Sequence, residues 1–442
     1  MTPPTTGFER LLSRVVTLRP GEGRVALLLF VHIFTLLFAY YLIKPVREML
    51  ILTQQTAEVR AYSIAAQALA LMFVIPAYTA VLKRVFPHYR LVPWVIGFLA
   101  VNLLVFALCG KGGVPIGVPF FVWIGIFNVL ILAQFWAFAA DLFSVEAGER
   151  LFVLVAIGAA LGAWAGALAS QPLLSVLDPY AAMLVTMVLL LATLPLVRHA
   201  RAAVPAGSRP PEHLQQARPG EIRGVLAGFQ LVLGHPYLRM VAVFMMLLNC
   251  INTTGEYLLA RIVKAHAESL AATDAIRDPA QWIGVFYGDY FTWINGAGVA
   301  VQVLLVGRIF RRFGVPGAIR VLPALAALGY GLLMFLPVFA LVRLVKIAEN
   351  SVNYSLQNTA RHALILPTDE EMKYAGKTTI DTFFWRLGDV FQAAIVWVGF
   401  NRLAASPAQF ALVNFALALA WLGVAMRLGA MYRERVAEAS AA

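Results

Sequence analysis

Two cysteines, Cys109 and Cys250, are all that the 442 residues hold, and both fall inside long apolar runs. That excludes a disulfide scaffold and a cysteine-built metal centre. Seven histidines are scattered with neither metal-ligand spacing nor a Ser/His/Asp arrangement, so no catalytic centre, cofactor or metal is expected. Charge is scarce as well. Only 13% of residues are charged while 61% are hydrophobic, and the mean hydropathy is +0.77. A soluble globular domain carries about twice that share of charge. The chain is therefore read as an all-α polytopic membrane protein whose first partner is the lipid bilayer.

A window of about 19 residues finds roughly twelve apolar segments long enough to span a bilayer. They lie near 24–52, 61–82, 91–109, 117–140, 151–174, 180–197, 236–260, 284–309, 315–336, 338–365, 377–400 and 408–428. The N-terminus, MTPPTTGFERLLSRVVTLRPGEGR, is polar and lacks a short apolar core with a small-residue cleavage site, so it is not read as a signal peptide. The Pro-, Arg- and Gln-rich stretch RHARAAVPAGSRPPEHLQQARPGEIRG separates six spans from six. The predicted organisation is a segment 1–23, a six-helix bundle 24–197, a linker 198–235, a second bundle 236–430 and a tail 431–442. A weak echo between Leu142-Phe-Ser-Val-Glu146 and Leu366-Pro-Thr-Asp-Glu370 suggests duplication. Two parallel six-helix repeats with a substrate site at mid-membrane describe a major facilitator-like architecture, which a non-transporting receptor or scaffold could share.

The formal net charge of +12 would raise nucleic-acid binding on a soluble chain, but its distribution gives a better account. Arg10, Arg14, Arg19 and Arg24, then Lys83, Arg84 and Arg90, then Arg198, Arg201, Arg209, Arg218 and Arg223 occupy every second connection. Arg308, Arg311 and Arg312, and Arg427, Arg433 and Arg435, continue the alternation. The positive-inside rule then puts both termini and the linker in the cytoplasm, in a cell inner membrane, with no nucleic-acid partner. The sequence is silent on oligomeric state, and a monomer is the expected form.

Ionisable residues at membrane depth are costly and face a bundle interior, a partner or a water path. In LFAYYLIKPVREMLIL, Tyr40, Lys44 and Arg47, with Tyr41 and Glu48 one step over, share a broad helical face. The apolar pattern resumes at Leu50–Thr53, favouring an inward-facing site over charges snorkelling at a helix end. In span 10, Arg343, Lys346, Asn350, Asn353, Gln357 and Arg361 form one stripe, with Glu349 placed to neutralise Lys346. The stripe is expected to line a cavity, the alternative being a structural charge network. Span 11 adds Lys377, Asp381, Arg386 and Asp389, where Lys377 and Asp381 are one turn apart. Spans 7 and 8 add Asn249, Asn252, Glu256, Asp289 and Asn295. Cations nearly balanced by internal acids suit an anionic small-molecule substrate that competes with those acids. Tyr40, Tyr41, Trp136, Tyr287, Trp293 and Trp385 are read first as packing or interface anchors, with base stacking the alternative.

Two apparent motifs carry no chemistry. Gly376-Lys377-Thr378-Thr379 ends like a phosphate-binding loop, but Glu371 stands where that loop needs its first glycine. Gly158, Gly162 and Gly166, four apart, predict close helix packing.

YYLIKPVREML, QFWAFAADLFSVEAGERLF, GVFYGDYFTWINGAG and NSVNYSLQNTARHALILPTDEEMKYAGKTTIDTFFWRLGD together resemble the ATP/ADP translocase family. These are the nucleotide transporters of plastids and obligate intracellular bacteria, with the related NTP/NDP exchange transporters of other bacteria. The resemblance runs from about residue 24 to 430 and is most specific over 350–389. It implies twelve spans, a major facilitator-like fold and nucleotide antiport in which membrane lysines and glutamates bind phosphates. The family's lysine of span 1 falls at Arg47, its lysine of span 11 on Lys377, and a glutamate of span 7 close to Glu256. Its acid in span 4 has no counterpart, since nothing acidic lies between Lys111 and Asp141. Lys44, Arg47, Lys377 and Arg361 are expected to cradle a polyphosphate, with Glu48, Asp381 and Glu256 holding the cations when the site is empty. Transport of another organic anion stays open as the alternative.

Overall fold

The structure is a computed structural model that describes residues 19, 21–85, 88–205 and 225–441. Most of the N-terminal segment, and linker residues 206–224 with Arg209, Arg218 and Arg223, lie outside the described residues. What is described is helical almost throughout.

The first helix, α1 (Glu22–Gln54), has 33 residues and runs through Lys44, Pro45, Arg47 and Glu48 without a break. At roughly 1.5 Å per residue it is about 50 Å long, more than a hydrocarbon core requires. The charges therefore lie within a continuous helix rather than at its end, and Lys44 and Glu48 are buried. There follow α2 (Ala57–Arg84), α3 (Val92–Lys111), α4 (Gly117–Leu142), α5 (Val145–Val176), α6 (Pro179–Ala192) and the short α7 (Leu194–Ala202). Caps mark the junctions. Ser144 accepts from the backbone N–H of Ala147 at the start of α5, and Asp178 accepts from Tyr180 and Ala181, both at 2.8 Å, at the start of α6.

Beyond the linker come α8 (Val225–Gly234), α9 (Pro236–Ala272), α10 (Pro279–Val301), α11 (Gly307–Leu333), α12 (Phe339–Val352), α13 (Asn358–Ala363), α14 (Trp385–Asn401) and α15 (Pro407–Ala441). Ten helical stretches among the described residues are long and apolar enough to cross a membrane. One of them, Pro279–Leu333, contains two of the spans read from sequence, 284–309 and 315–336. The backbone turns between them at Gly314, whose φ of 62° favours glycine. The tenth span, 338–365, carries Arg343, Lys346 and Glu349 within seven residues and is the one not among those stretches. It is helical all the same, as α12, a π-turn at Asn353–Gln357 and α13.

The chain divides into two compact units. The first comprises the described parts of Met1–Gln54 and Phe73–Pro219 together with Ala280–Thr292. Its core packs α1 against α5 along the three glycines. A Cβ on Gly158 would lie 2.9 Å from the Phe30 carbonyl oxygen, and one on Gly162 or Gly166 would collide with the backbone of Phe34 or Phe38. Small residues four apart thus do what their spacing predicts, letting two backbones touch. Phe120, Phe127, Phe135 and Phe138 fill the rest, and the ring of His32 sits edge-on to Phe135 and Phe138. Charged groups tie the helix ends: Arg150 donates twice to Glu22, at 2.9 Å each, and Asp141 accepts the His88 backbone N–H at 2.6 Å.

The second unit comprises Gln55–Met72, Gly220–Pro279 and Trp293–Ala442. Its core is built round Phe244, Tyr257, Tyr330 and Trp421. The first half of α2 belongs to this unit and the second half to the other. That placement gives the polar start of α2 a role described below.

Candidate functional site

In the first unit the charged turn of α1 is dressed with aromatic rings. The Lys44 ammonium lies 4.0 Å from the centroid of Phe291, 4.9 Å from Tyr41 and 5.9 Å from Tyr40. Tyr40 and Tyr41 precede Lys44 by four and three residues, the spacing that brings helical side chains together, whereas Phe291 comes from α10. Ring faces attract a cation through their π electrons. Arg47 stacks its guanidinium 4.4 Å from Phe121 and donates through Nε to Glu48 at 3.1 Å, with Nη2 on the same oxygen. Adjacent helical residues point apart, so the pair forms only because the long arginine curls back to a fully buried carboxylate. Asp289 is half-buried on α10, in the same unit.

In the second unit Lys346 is fully buried at the centre of a polar network. It pairs with Glu349 at 2.8 Å, lies 3.7 Å from Glu256, and donates to the side-chain and backbone oxygens of Asn252 at 3.0 and 3.1 Å. Asn350 donates to Glu256 at 2.7 Å, Tyr330 donates to Glu349 at 2.7 Å, and Arg60 approaches Glu256 to 3.7 Å. Four residues singled out in the sequence, Asn252, Glu256, Lys346 and Asn350, are therefore brought together with the expected neutraliser Glu349. A second cluster lies further along. Lys377 and Asp381 pair at 2.7 Å, Arg361 places its guanidinium 5.3 Å from the Trp385 ring, and Arg361, Lys377 and Asp381 line one narrow cleft with His362.

Arg386 lies 3.8 Å from Asp389, which accepts from Asn249 at 2.7 Å. The stripe residues Asn353 and Gln357 are buried, and neither amide atom of Gln357 has a hydrogen-bond partner among the described residues. Arg343 and Arg361, at the two ends of the stripe, are half-buried. The π-turn at Asn353–Gln357 interrupts the helical repeat in mid-stripe. A second π-turn, Ile380–Phe384, follows Lys377. Such turns gather at functional sites in membrane and soluble helices alike.

Sequence reasoning missed several members. Glu58 and Arg60 sit in TQQTAEVRAY, which reads as a polar connection, but both are buried at the start of α2. Tyr257 donates to Glu58 at 2.9 Å, and Arg261 donates to the Ala405 carbonyl oxygen at 2.9 Å. The available signal was charge within two residues of an apolar run, at a position where a solvent loop has no need of both signs. Tyr330 had no local signal at all.

No family model matches the chain. Curated relatives do. It is 27% identical to an ADP,ATP carrier protein 1 of Chlamydia muridarum over 36% of this chain and 35% of that one. Over a third of its length, the chain is similar to ADP,ATP carriers. A plastidic ATP/ADP-transporter of Solanum tuberosum is 30% identical over 35% of this chain and 24% of the relative. The alignments thus span about a third or less of the curated relatives' length. Solved structures extend the likeness in fold to nearly the whole chain. The nucleoside transporter NupG superposes with a TM-score of 0.63 at 12% identity, covering 94% of this chain and 99% of that one. A peptide transporter POT in complex with sulfate gives a TM-score of 0.64 at 13% identity, covering 95% and 98%. The fold is therefore the major facilitator-like, multi-pass membrane fold expected from the sequence, and the neighbours in both comparisons are transporters.

Proposed function

We propose that this chain is a nucleotide exchanger of the cytoplasmic membrane, working by alternating access with both termini inside the cell. The observation that carries the proposal is its similarity to ADP,ATP carriers from a bacterium and a plastid. The chemistry of the paired cations supports it. Arg47 rests on the buried carboxylate of Glu48, and Lys377 on the exposed carboxylate of Asp381. An incoming polyphosphate offers oxygens of higher charge that replace those carboxylates one for one. When the substrate leaves, the ion pairs re-form, so Glu48 is not left buried without its cation.

Arginine at position 47 offers a fork matched to two phosphate oxygens, whereas Lys377 and Lys44 act as point charges. The rings of Phe291 and Tyr41 hold the Lys44 ammonium in place on the same helical turn as Arg47. The buried network round Lys346 has a different part: it holds α12, α9 and the start of α2 together within the second unit. The test is exchange by purified protein in proteoliposomes loaded with unlabelled nucleotide. Labelled ATP or ADP should enter only when a counter-substrate is inside. Uptake of dicarboxylates but not of nucleotides contradicts the proposal.

A further inference from the structure

The first unit carries a basic groove remote from the charged turn of α1. A short turn at His88–Arg90, the start of α3 and the whole of α7 enclose a cavity of about 640 Å³. Its lining includes Tyr89, Arg90, Pro93, Val197, Arg198 and Arg201, and no acidic residue is among its described lining. The geometry follows from the sequence of α7, LPLVRHARA. Val197 and Ala200 are buried while Arg198 and Arg201 project outward, and Pro195 in the first turn sets the short helix off from α6. The Arg201 guanidinium lies over the ring of Tyr89, 4.0 Å from its centroid, a contact that holds the side chain without neutralising its charge.

The groove opens at the head of an apolar stripe. Trp94, Phe98, Val101 and Val105, spaced four, three and four residues along α3, are all more than half exposed. An exposed tryptophan beside a cationic cluster marks the level of lipid headgroups. Below it the stripe offers a surface for an acyl chain, and α6, which packs against α3, adds exposed Val188 and Leu191. A soluble anion would use the three arginines alone. A lipid uses the arginines and the stripe together.

We propose that this groove is a binding site for an anionic phospholipid, its phosphodiester held by Arg90, Arg198 and Arg201 and one acyl chain lying along Trp94 and Phe98. Occupancy ties the turn between α2 and α3 to the end of α7. The site is independent of the transported substrate.

The experiment is native mass spectrometry of the detergent-purified full chain with equimolar phosphatidylglycerol and phosphatidylcholine. Phosphatidylglycerol should be retained preferentially. Surface cations contribute on the order of 1 kcal/mol each to such binding, so Arg90→Gln/Arg198→Gln/Arg201→Gln should weaken it about a hundredfold and each single change about fivefold. Arg308→Gln/Arg311→Gln, at exposed arginines elsewhere, should leave it unchanged. Trp94→Ala/Phe98→Ala should weaken it while sparing the charge. Melting of every variant in phosphatidylcholine alone reports folding separately. Equal retention of the two lipids by the wild type, or unchanged phosphatidylglycerol binding by the triple variant, overturns the proposal. So does displacement of the lipid by inorganic phosphate or ATP, which would make the groove a soluble-anion site.

Discussion

Lys346 and Glu349 pair at 2.8 Å one turn apart on α12, both buried, and Tyr330 shares the same carboxylate oxygen. A buried pair of this kind contributes little net stability, yet removing one partner strands the other charge. Lys346→Met should therefore destabilise the protein by about 3–5 kcal/mol, and Lys346→Met/Glu349→Leu should recover part of that loss. Thermal melting in detergent checks it. A single variant that melts with the wild type means that Lys346 is not held as described.

The glycine contact between α1 and α5 gives a sharper stability test. Gly162→Leu places a side chain against the Phe34 backbone, which cannot yield as a flexible side chain would. Overpacking of this sort costs about 1–3 kcal/mol or more. Gly423→Leu, where a Cβ meets nothing within 4 Å, is the matched control. If both variants melt alike, the close approach of α1 and α5 is absent.

Legibility divided along physical lines. The spans were readable because hydrocarbon demands an unbroken apolar run, and Lys377–Asp381 and Lys346–Glu349 because i,i+4 and i,i+3 neighbours meet on any helix. Arg60–Glu256 and Tyr257–Glu58 were not, since their partners are about two hundred residues apart and only the fold joins them. The segment TQQTAEVRAY misled because polarity at a helix start looks the same whether water or protein covers it. The π-turn at Asn353–Gln357 was equally hidden, because apolar periodicity does not register one extra residue in a turn.

Orientation is tested within the first unit alone. In a background lacking Cys109 and Cys250, single cysteines replacing Lys111 and Ala202 should react with an impermeant maleimide from opposite faces of the membrane. The positive-inside reading puts Ala202 in the cytoplasm. Labelling of both from one side would refute the assigned topology.

Gln357 is fully buried with an amide lacking partners among the described residues, and Asn353 is nearly so. If the stripe lines the transport path, Asn353→Cys and Gln357→Cys should react with small water-soluble thiol reagents during exchange and be protected when exchange is arrested. Two cysteines inert under every condition would make the stripe a dry helix interface.

The central claim is that the carboxylate-paired cations on α1 and beside the Ile380–Phe384 turn bind phosphate oxygens. Its most direct test is calorimetric titration of ATP and ADP into purified wild type, Arg47→Ala, Lys377→Ala and Lys111→Ala, the last an exposed cation outside both clusters. Loss of a charge-assisted hydrogen bond should weaken binding by roughly 1.5–3 kcal/mol in each of the first two variants and leave Lys111→Ala at wild-type affinity. Wild-type protein that binds no nucleotide, or nucleotide affinity indifferent to both Arg47→Ala and Lys377→Ala, would contradict the account.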